Sequence, residues 1–317
     1  MSKLGIIGCG AVTQQFYVKV LPKIKNIKVT SVYDLDIKVS QKVARLFEAD
    51  PVPLQNLINN SDYIIIATPP ATHYELMLKT LLPGKTVVCE KPFLTKLEDA
   101  NDIYNQLEKN NAKLYVAHFR RMYPSVEIAK KILETGVLGK ISKIDMYEGS
   151  RFNWGATSSY FFQNTFGGVL FDTGSHLLDM AMYISGLDLK PIKCKIASVS
   201  RNKKEPSHEI KSNFIVYGGE EKITMNLHLS RFQLLANQIQ IIAENGSLII
   251  PSYLSDCIKI LRGNVGTVIY TPHKYIDNQE AFYHQYINIF HQNNDQIFES
   301  IRFKNLTQIL ESIFYYD

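Results

Sequence analysis

The first 120 residues alternate between short apolar runs and helical patterns, and this alternation is the feature that most constrains the fold. The apolar runs read as buried strands over 3–8, 27–33, 62–67, 86–89 and 113–119. Strands that alternate with helices predict a parallel, doubly wound sheet. Ligands of such sheets bind beyond the carboxyl ends of the strands. Four residues suited to ligand binding fall at those ends, namely Gly8, Asp34, Thr68 and Lys91.

The first strand leads into a glycine-containing turn that is typical of a dinucleotide-binding unit. Gly8 permits a tight turn, and Gly10 lets the backbone approach a pyrophosphate at the N-terminus of the following helix. Thr13 occupies the position of the third glycine of the fingerprint, so we expect less close packing of helix on strand. Asp34 follows the second strand and would accept hydrogen bonds from the adenine ribose hydroxyls.

Asp34 also indicates which dinucleotide is preferred. A carboxylate at this position repels the 2′-phosphate of NADP, and no arginine stands beside it to receive one. Lys38 lies close enough to weaken this discrimination. We therefore predict NAD, with NADP less favoured.

A second informative segment is 167–179, in which two glycines precede a helical pattern. Asp172, His176 and Asp179 are spaced four and then three residues apart, so a helix would place them on one face, and Tyr183 extends that row. Apolar residues fill the other side, which predicts an amphipathic helix with a solvated polar face. A carboxylate can fix the tautomer of a histidine, so this face suits proton transfer. The alternative is that Asp172 only caps the helix and that His176 is structural.

The second half of the chain predicts an open, mostly antiparallel sheet with helices on one face. A helix over 123–135 ends at Gly136, and Gly218-Gly219 and Asn245-Gly246 are hairpin signals. Strands are predicted at 140–148, 194–200, 210–217, 223–229, 239–243 and 247–250, and two further helices at 282–290 and 306–314. We therefore expect an α/β Rossmann domain over 1–120 and an α+β domain over 121–317.

Composition excludes several classes of protein. The chain has 317 residues with 35 basic and 30 acidic side chains, and its lysines are scattered without a motif that reads nucleic acid. The four cysteines are far apart, without metal-ligand or disulfide spacing, which suits a reducing cytoplasm. No apolar run approaches membrane-spanning length, and the first residues pass into a strand pattern without room for a signal peptide. We therefore expect a cytoplasmic protein with no metal.

Several motifs, taken in order, resemble those of the Gfo/Idh/MocA family of NAD(P)-dependent oxidoreductases, and the likeness covers nearly the whole chain. They are Gly8-Cys9-Gly10, Thr68-Pro69 with His73, Glu90-Lys91-Pro92, Arg120-Arg121, the segment from Gly136 to Ile141, and Gly167-Gly168 with Asp172, His176 and Asp179. The resemblance implies NAD as cofactor, a carbohydrate substrate, and a homodimer or homotetramer formed through the C-terminal sheet. It also places the C-terminal helices near the domain junction.

The resemblance also implies roles for individual residues. Lys91 would hydrogen-bond the reacting hydroxyl or carbonyl, His176 would be the general acid/base, and Asp172 would orient the substrate and the histidine. The residues lining the cofactor would be Gly8, Gly10, Ala11, Val12, Asp34, Thr68, Pro69, His73, Glu90 and Lys91. The residues contacting substrate would be Lys91, Arg120, Arg151, Trp154, Asp172 and His176.

Some assignments keep a second reading. His73 has a structural role as its alternative, and Asp179 serves either to hold the histidine or to bond backbone. Arg120 and Arg121 anchor substrate or form an ion pair that joins the domains. The aromatic stretch that contains Trp154 either contacts the substrate or packs in the core.

We therefore expect an NAD(H)-dependent oxidoreductase that transfers a hydride to or from a hydroxyl or keto carbon of a sugar, cyclitol or nucleotide-linked sugar. One alternative is a sugar–sugar oxidoreductase that retains its cofactor. The other is a non-catalytic regulator on the same fold that responds to NAD or sugar.

Overall fold

A computed structural model describes residues 1–151, 168–219, 221–270 and 277–316. They form two compact units, and the first comprises Met1–His118 together with Gln279–Phe303. The second unit holds the other described residues. The sequence analysis placed everything after residue 120 in one domain, whereas the structure groups Gln279–Phe303 with the first unit.

The strands follow one another along the chain as β1 (Ser2–Ile7), β2 (Ile27–Tyr33), β3 (Asp50–Pro51), β4 (Tyr63–Ile66), β5 (Thr86–Glu90), β6 (Lys113–Ala117), β7 (Ile141–Gly149), β8 (Ile192–Arg201), β9 (Glu209–Gly218), β10 (Glu221–Ser230), β11 (Gln238–Ala243), β12 (Gly246–Pro251), β13 (Cys257–Arg262) and β14 (Val265–Tyr270).

The α-helices are α1 (Val18–Val20), α2 (Ile37–Phe47), α3 (Leu54–Asn60), α4 (His73–Thr80), α5 (Leu97–Asn110), α6 (Pro124–Glu134), α7 (Ser175–Ser185), α8 (Asn278–Phe290) and α9 (Lys304–Phe314). Two π-helical turns, Thr13–Tyr17 and Leu170–Gly174, lead directly into α1 and α7. Shorter 3₁₀ turns occupy Leu21–Lys23, Pro70–Thr72, Phe119–Met122, Asp295–Phe298 and Ser300–Phe303.

The sheet of the first unit has the order β3-β2-β1-β4-β5-β6, and every neighbouring pair is parallel. This confirms the predicted doubly wound Rossmann sheet. The chain reverses direction across the sheet between β1 and β4, which is the switch point where such sheets bind their ligands. Because β1, β4 and β5 are parallel neighbours, the segments that follow them lie at one edge of the sheet.

Aromatic packing explains why Gln279–Phe303 belongs to the first unit. The ring of Phe282 stacks on Phe16 at 4.6 Å between centroids, and Tyr286 meets Tyr17 edge-on at 5.4 Å. Such contacts join segments that are far apart along the chain, so no local pattern in the sequence marks them.

The sheet of the second unit has the order β14-β13-β12-β11-β7-β10-β9-β8. All neighbouring pairs are antiparallel except β7 and β10, which confirms the predicted mostly antiparallel sheet. The hairpins predicted at Gly218-Gly219 and Asn245-Gly246 are confirmed by the pairing of β9 with β10 and of β11 with β12. The last two strands at one end of this sheet, β13 and the edge strand β14, were not predicted.

The helix α7 differs from the amphipathic helix that the sequence predicts. Every residue from Ser175 to Ile184 is buried, including the predicted polar row of His176, Asp179 and Tyr183. A helix that is covered all round lies within the core, and α7 packs against α6, α9 and β7 of its own unit. The prediction of a solvated polar face was therefore wrong, because these polar groups are covered by neighbouring elements.

Within the described ranges, no helix is both long and apolar enough to span a membrane.

Candidate active site

The glycine turn after β1 has a conformation that only glycine fits at Gly8. Its φ is +100°, and a Cβ there would lie 2.4 Å from the carbonyl oxygen of Ala67. The amide of Gly8 donates to the carbonyl of Tyr33 at 2.8 Å, and the hydroxyl of Thr13 donates to the carbonyl of Gly8 at 2.8 Å. The buried hydroxyl of Thr13 thus ties the start of the helical segment to the residue that follows β1.

Gly10 marks the open side of this turn. A Cβ at Gly10 would meet no atom of the described residues within 4 Å, so none of them fills the space beside its backbone. Ala11 and Val12 start the helical segment that continues into the π turn, and both are half-buried. An open backbone at a helix start is the arrangement that receives a pyrophosphate.

Asp34 holds the turn from the end of β2. Its Oδ2 accepts a hydrogen bond from the Cys9 amide at 2.8 Å, and its Oδ1 accepts one from the Asp36 amide at 2.9 Å. A carboxylate offers about four lone-pair sites, so ribose hydroxyls can bind it as well. The side chain of Leu35 is 89% exposed beside it, which provides an apolar surface for an adenine ring. The sequence analysis did not single out Leu35.

The segments after β4 and β5 are joined by His73. This ring is fully buried, with Nε2 2.9 Å from the carbonyl oxygen of Thr68 and Nδ1 3.0 Å from that of Pro92. Burial lowers the pKa of His73, and the backbone carbonyls of Thr68, Pro92 and Phe93 act in the opposite direction. Thr68 and Pro69 remain accessible to solvent, whereas His73 is buried and contacts the segments that follow β4 and β5. Its geometry matches the structural alternative more closely than a direct cofactor contact.

Glu90 ends β5 and is buried next to Lys91. Its carboxylate accepts a short hydrogen bond from the Tyr17 hydroxyl and another from the Lys91 amide at 3.1 Å. Tyr17 is fully buried and lies on the π turn after the glycine loop, so the pair connects the segment after β1 to the end of β5. Tyr17 was not predicted as a site residue from the sequence. Its link to the site is the contact with Glu90, which lies 73 residues away along the chain.

Burial raises the pKa of Glu90, although the Tyr17 hydrogen bond and the Lys91 charge act in the opposite direction. A raised pKa means that the folded state binds the proton more tightly than the unfolded state. This stabilisation is present below the ordinary glutamate pKa and is lost as pH rises through the folded value. We expect the stability advantage of the native protein over Glu90→Gln to shrink as pH rises, and urea unfolding of both proteins from pH 4 upward measures it. A pH-independent difference would contradict the raised pKa.

The first unit therefore fits a dinucleotide. The turn at Gly8 and Gly10 would hold the pyrophosphate, Asp34 the adenine ribose, and Thr68 with Lys91 the nicotinamide end. The open space at Gly10 and the acceptor set at Asp34 are the structural observations behind this fit.

In the second unit, Asp172 lies on the π turn that precedes α7. Its Oδ2 is 2.9 Å from Nη2 of Arg231, whose side chain is only 4% exposed, whereas the Asp172 side chain is 24% exposed. π turns inside helices occur frequently at functional sites. Arg231 directly follows β10 and was not identified from the sequence, since its partner is 59 residues away along the chain.

His176 follows on the first turn of α7 and is 6% exposed. Its ring meets that of Phe119 edge-on at 5.4 Å between centroids. Asp179, one turn further, does not serve His176 through the contacts described; it pairs with the buried Arg121, whose Nη2 lies 2.5 Å from Asp179 Oδ1. Asp188 also faces Arg121, at 3.5 Å.

Arg120 also forms an ion pair with a carboxylate. Its Nη1 and Nη2 donate to the Glu148 carboxylate at 2.7 and 2.9 Å, and Nη1 also donates to the Ser252 carbonyl at 2.9 Å. Both arginine pairs thus join elements of the second unit, which differs from the predicted alternative of an ion pair between domains. Arg151 is exposed at the end of a described range, and Trp154 with its neighbouring aromatics lies outside the described residues.

Within the ranges that the structure covers, no group of three or more histidine, cysteine, aspartate or glutamate side chains is arranged to hold a metal ion.

Comparisons with known proteins agree with this architecture. A family model described as an oxidoreductase family with an NAD-binding Rossmann fold matches residues 2–118, and a model of the GFO/IDH/MocA C-terminal domain matches residues 126–249. Glucose-6-phosphate 3-dehydrogenase of Bacillus subtilis is 26% identical over 73% of this chain and 68% of its own length.

Two solved structures share the fold at low sequence identity. An oxidoreductase from Agrobacterium radiobacter in complex with NAD⁺, L-tartaric acid and magnesium has a TM-score of 0.76 and 18% identity, covering 98% of this chain and 94% of its own. A 3-ketoreductase from Actinomadura kijaniata in complex with NADP and TDP-benzene has a TM-score of 0.77 and 16% identity, covering 97% and 96%.

The family models account for both halves of the chain in the order in which the motifs occur, and the first half is an NAD-binding Rossmann domain. The chain belongs to the Gfo/Idh/MocA family of oxidoreductases.

Proposed function

We propose that the protein is an NAD(H)-dependent oxidoreductase that transfers a hydride to or from a hydroxyl or keto carbon of a sugar, cyclitol or nucleotide-linked sugar. The observation that carries this proposal is the common sheet edge of the first unit. The glycine turn, Thr68 and Lys91 follow the parallel neighbours β1, β4 and β5 there. A positive side chain beside the nicotinamide end of a dinucleotide site is suited to redox chemistry at a carbinol carbon.

The bound nicotinamide supplies the hydride acceptor or donor. Lys91 would hydrogen-bond the reacting oxygen and stabilise negative charge that develops on it. His176 would take or give the hydroxyl proton. Asp172 lies against the permanent positive charge of Arg231, which favours its carboxylate form. The side chain is therefore better suited to accept hydrogen bonds from substrate hydroxyls than to donate a proton.

The substrate class is proposed from the relatives and from the site together. The Bacillus subtilis relative is named for a sugar phosphate, and the Actinomadura structure contains TDP-benzene. Arg120, considered from the sequence as a substrate anchor, is paired with Glu148, so a substrate phosphate would compete with a carboxylate there. Arg151 is exposed and stays a candidate for that contact.

Asp34→Ala is expected to weaken NADH binding by roughly 10- to 100-fold, as for the loss of charge-assisted hydrogen bonds of about 1.5–3 kcal/mol. NADPH binding should fall less, because the variant also removes repulsion of the 2′-phosphate. Fluorescence titration with both cofactors measures the two dissociation constants.

The control for this prediction is Asp34→Asn, which keeps an acceptor for the Cys9 amide and removes the charge. It should relax the preference for NADH with less loss of overall affinity. Equal losses for both cofactors in both variants would make Asp34 a residue that only shapes the turn.

The function itself is tested with the purified full chain. Native mass spectrometry shows whether NAD(H) co-purifies, and NADH and NADPH titrations follow. Hydride transfer is then assayed with glucose 6-phosphate, myo-inositol and UDP-glucose as probes of the three substrate classes. Turnover of one probe with exchangeable NAD⁺ supports the proposal. Retained cofactor with sugar-dependent cycling favours the sugar–sugar oxidoreductase, and failure to bind either cofactor contradicts every reading that uses NAD.

We further propose a cytoplasmic homo-oligomer that associates through the C-terminal sheet. The four free cysteines suit a reducing compartment. Size-exclusion chromatography with light scattering tests the assembly.

A further inference from the structure

Arg231 is a buried charged residue whose guanidinium pairs with Asp172. An arginine keeps its charge at all accessible pH values, so burying it is costly unless a partner is close. Its partner is Asp172, with Nη2 and Oδ2 2.9 Å apart, and the arginine is the buried member of the pair. Burial acts to lower the pKa of Arg231, and the Asp172 charge opposes that effect.

Both members of the pair are held by one loop of the second unit. The Arg231 amide donates to the carbonyl of His208 at 2.8 Å, and the Val169 amide donates to the carbonyl of Ser207 at 2.7 Å. Val169 immediately precedes the π turn that carries Asp172. The loop therefore sets the distance between the end of β10 and the start of that turn, which fixes where the carboxylate points.

The contact leaves the carboxylate able to serve a ligand. Asp172 is considerably more exposed than Arg231, and a carboxylate can accept several hydrogen bonds at once. The Asp172 carboxylate can thus accept hydrogen bonds from the Arg231 guanidinium on one side and from a substrate hydroxyl on the other. An arginine with its planar fork holds such a group in a defined orientation, which a lysine does not.

We propose that Arg231 is a positioning residue that keeps Asp172 charged and oriented so that its carboxylate binds a hydroxyl of a polyol substrate. This inference rests on the proposed function. Arg231 acts through Asp172 and does not itself touch the reacting atoms.

The test is a double-mutant cycle in the full-length protein with Asp172→Asn, Arg231→Gln and both together. Urea unfolding, NADH titration and steady-state kinetics with the three sugar probes are measured for each. We expect Arg231→Gln to lower kcat/KM by about 100-fold, the scale of a misplaced reactive geometry, with an unchanged NADH dissociation constant. The double variant should be no less active than Asp172→Asn alone, and Arg231→Lys should recover part of the loss.

Arg201→Gln is the matched control. Arg201 lies in the same unit, and among the described residues it donates to backbone carbonyls near the C-terminus, those of Ile313, Phe314 and Tyr316. Its loss should change stability and leave kcat/KM of the folded protein unchanged. If Arg231→Gln behaves like Arg201→Gln, or if the two single effects on activity add in the double variant, the positioning role is overturned.

Failure of the proposed function gives a different result. In that case the wild type binds NADH and turns over none of the probes, and the unfolding cycle still shows whether Asp172 and Arg231 are coupled. Coupling in stability without turnover would make the pair purely structural and overturn the inference together with the function. An active wild type with an additive cycle would overturn the inference alone.

Discussion

Lys91→Ala is expected to lower turnover by about 10²–10³-fold and to leave NAD(H) binding largely in place. Lys91 directly follows β5 at the sheet edge that carries the glycine turn, and it is half-buried. Removing one preorganised group that stabilises developing charge costs about 10²–10³-fold in rate. In the proposed site the turn and Asp34 would hold most of the dinucleotide, and the substitution does not touch them.

Kinetics with the active probe and NADH titration together separate the two effects. Lys85→Ala is the matched control, since Lys85 immediately precedes the same strand at its other end and donates to the Ser61 carbonyl at 2.7 Å. It should alter stability without altering kcat. Unchanged turnover in Lys91→Ala would exclude the proposed role of this lysine, and a large loss of NADH affinity would make it a cofactor ligand first.

The parallel sheet could be predicted because local periodicity and strand-end chemistry coincide in the first 120 residues. β2 extends over Ile27–Tyr33, the range that the apolar run indicates. The strand β14 lacks this signal, since it is exposed along most of its length and its residues do not alternate between buried and exposed. A strand without a buried face leaves little trace in the sequence.

The residues of the candidate site also fall into those that the sequence could predict and those that it could not. Asp172, His176 and Lys91 were identified by local motifs, whereas their partners were not. Tyr17 and Glu90 are 73 residues apart. A contact of this kind depends on how the elements pack, and it explains why Glu90 could be assigned to the site while the residue that holds it could not.

The prediction that α7 has a solvated polar face was wrong for a related physical reason. Asp179 has the helical spacing of a residue that supports His176, and spacing alone cannot tell a solvated face from one covered by a partner. Arg121 comes from a segment 58 residues earlier and covers that face. The carboxylate is therefore committed to a buried cation, which gives it a large part in the stability of the second unit.

Asp179→Ala is accordingly expected to destabilise the second unit by about 3–5 kcal/mol, the cost of breaking a buried ion pair by removing one partner. The Arg121 side chain is 0% exposed and the Asp179 side chain 2%, with a closest contact of 2.5 Å. The guanidinium also lies 4.5 Å from the centroid of the Tyr183 ring. After the substitution Asp188, at 3.5 Å, would still face the buried charge, at a longer distance than Asp179 does now.

Urea unfolding followed by circular dichroism measures this loss, and Glu127→Ala is the matched control. Glu127 pairs with Lys131 at 2.6 Å on the exposed side of α6, where solvent screens the charges, so little change is expected. Replacing all three buried charged groups, as in Arg121→Met with Asp179→Leu and Asp188→Asn, should recover much of the stability because none of the three charges is then left inside without its partner. If Asp179→Ala proved as mild as Glu127→Ala, water would have to reach Arg121. The burial of α7 that displaced the predicted solvated face would then be incomplete.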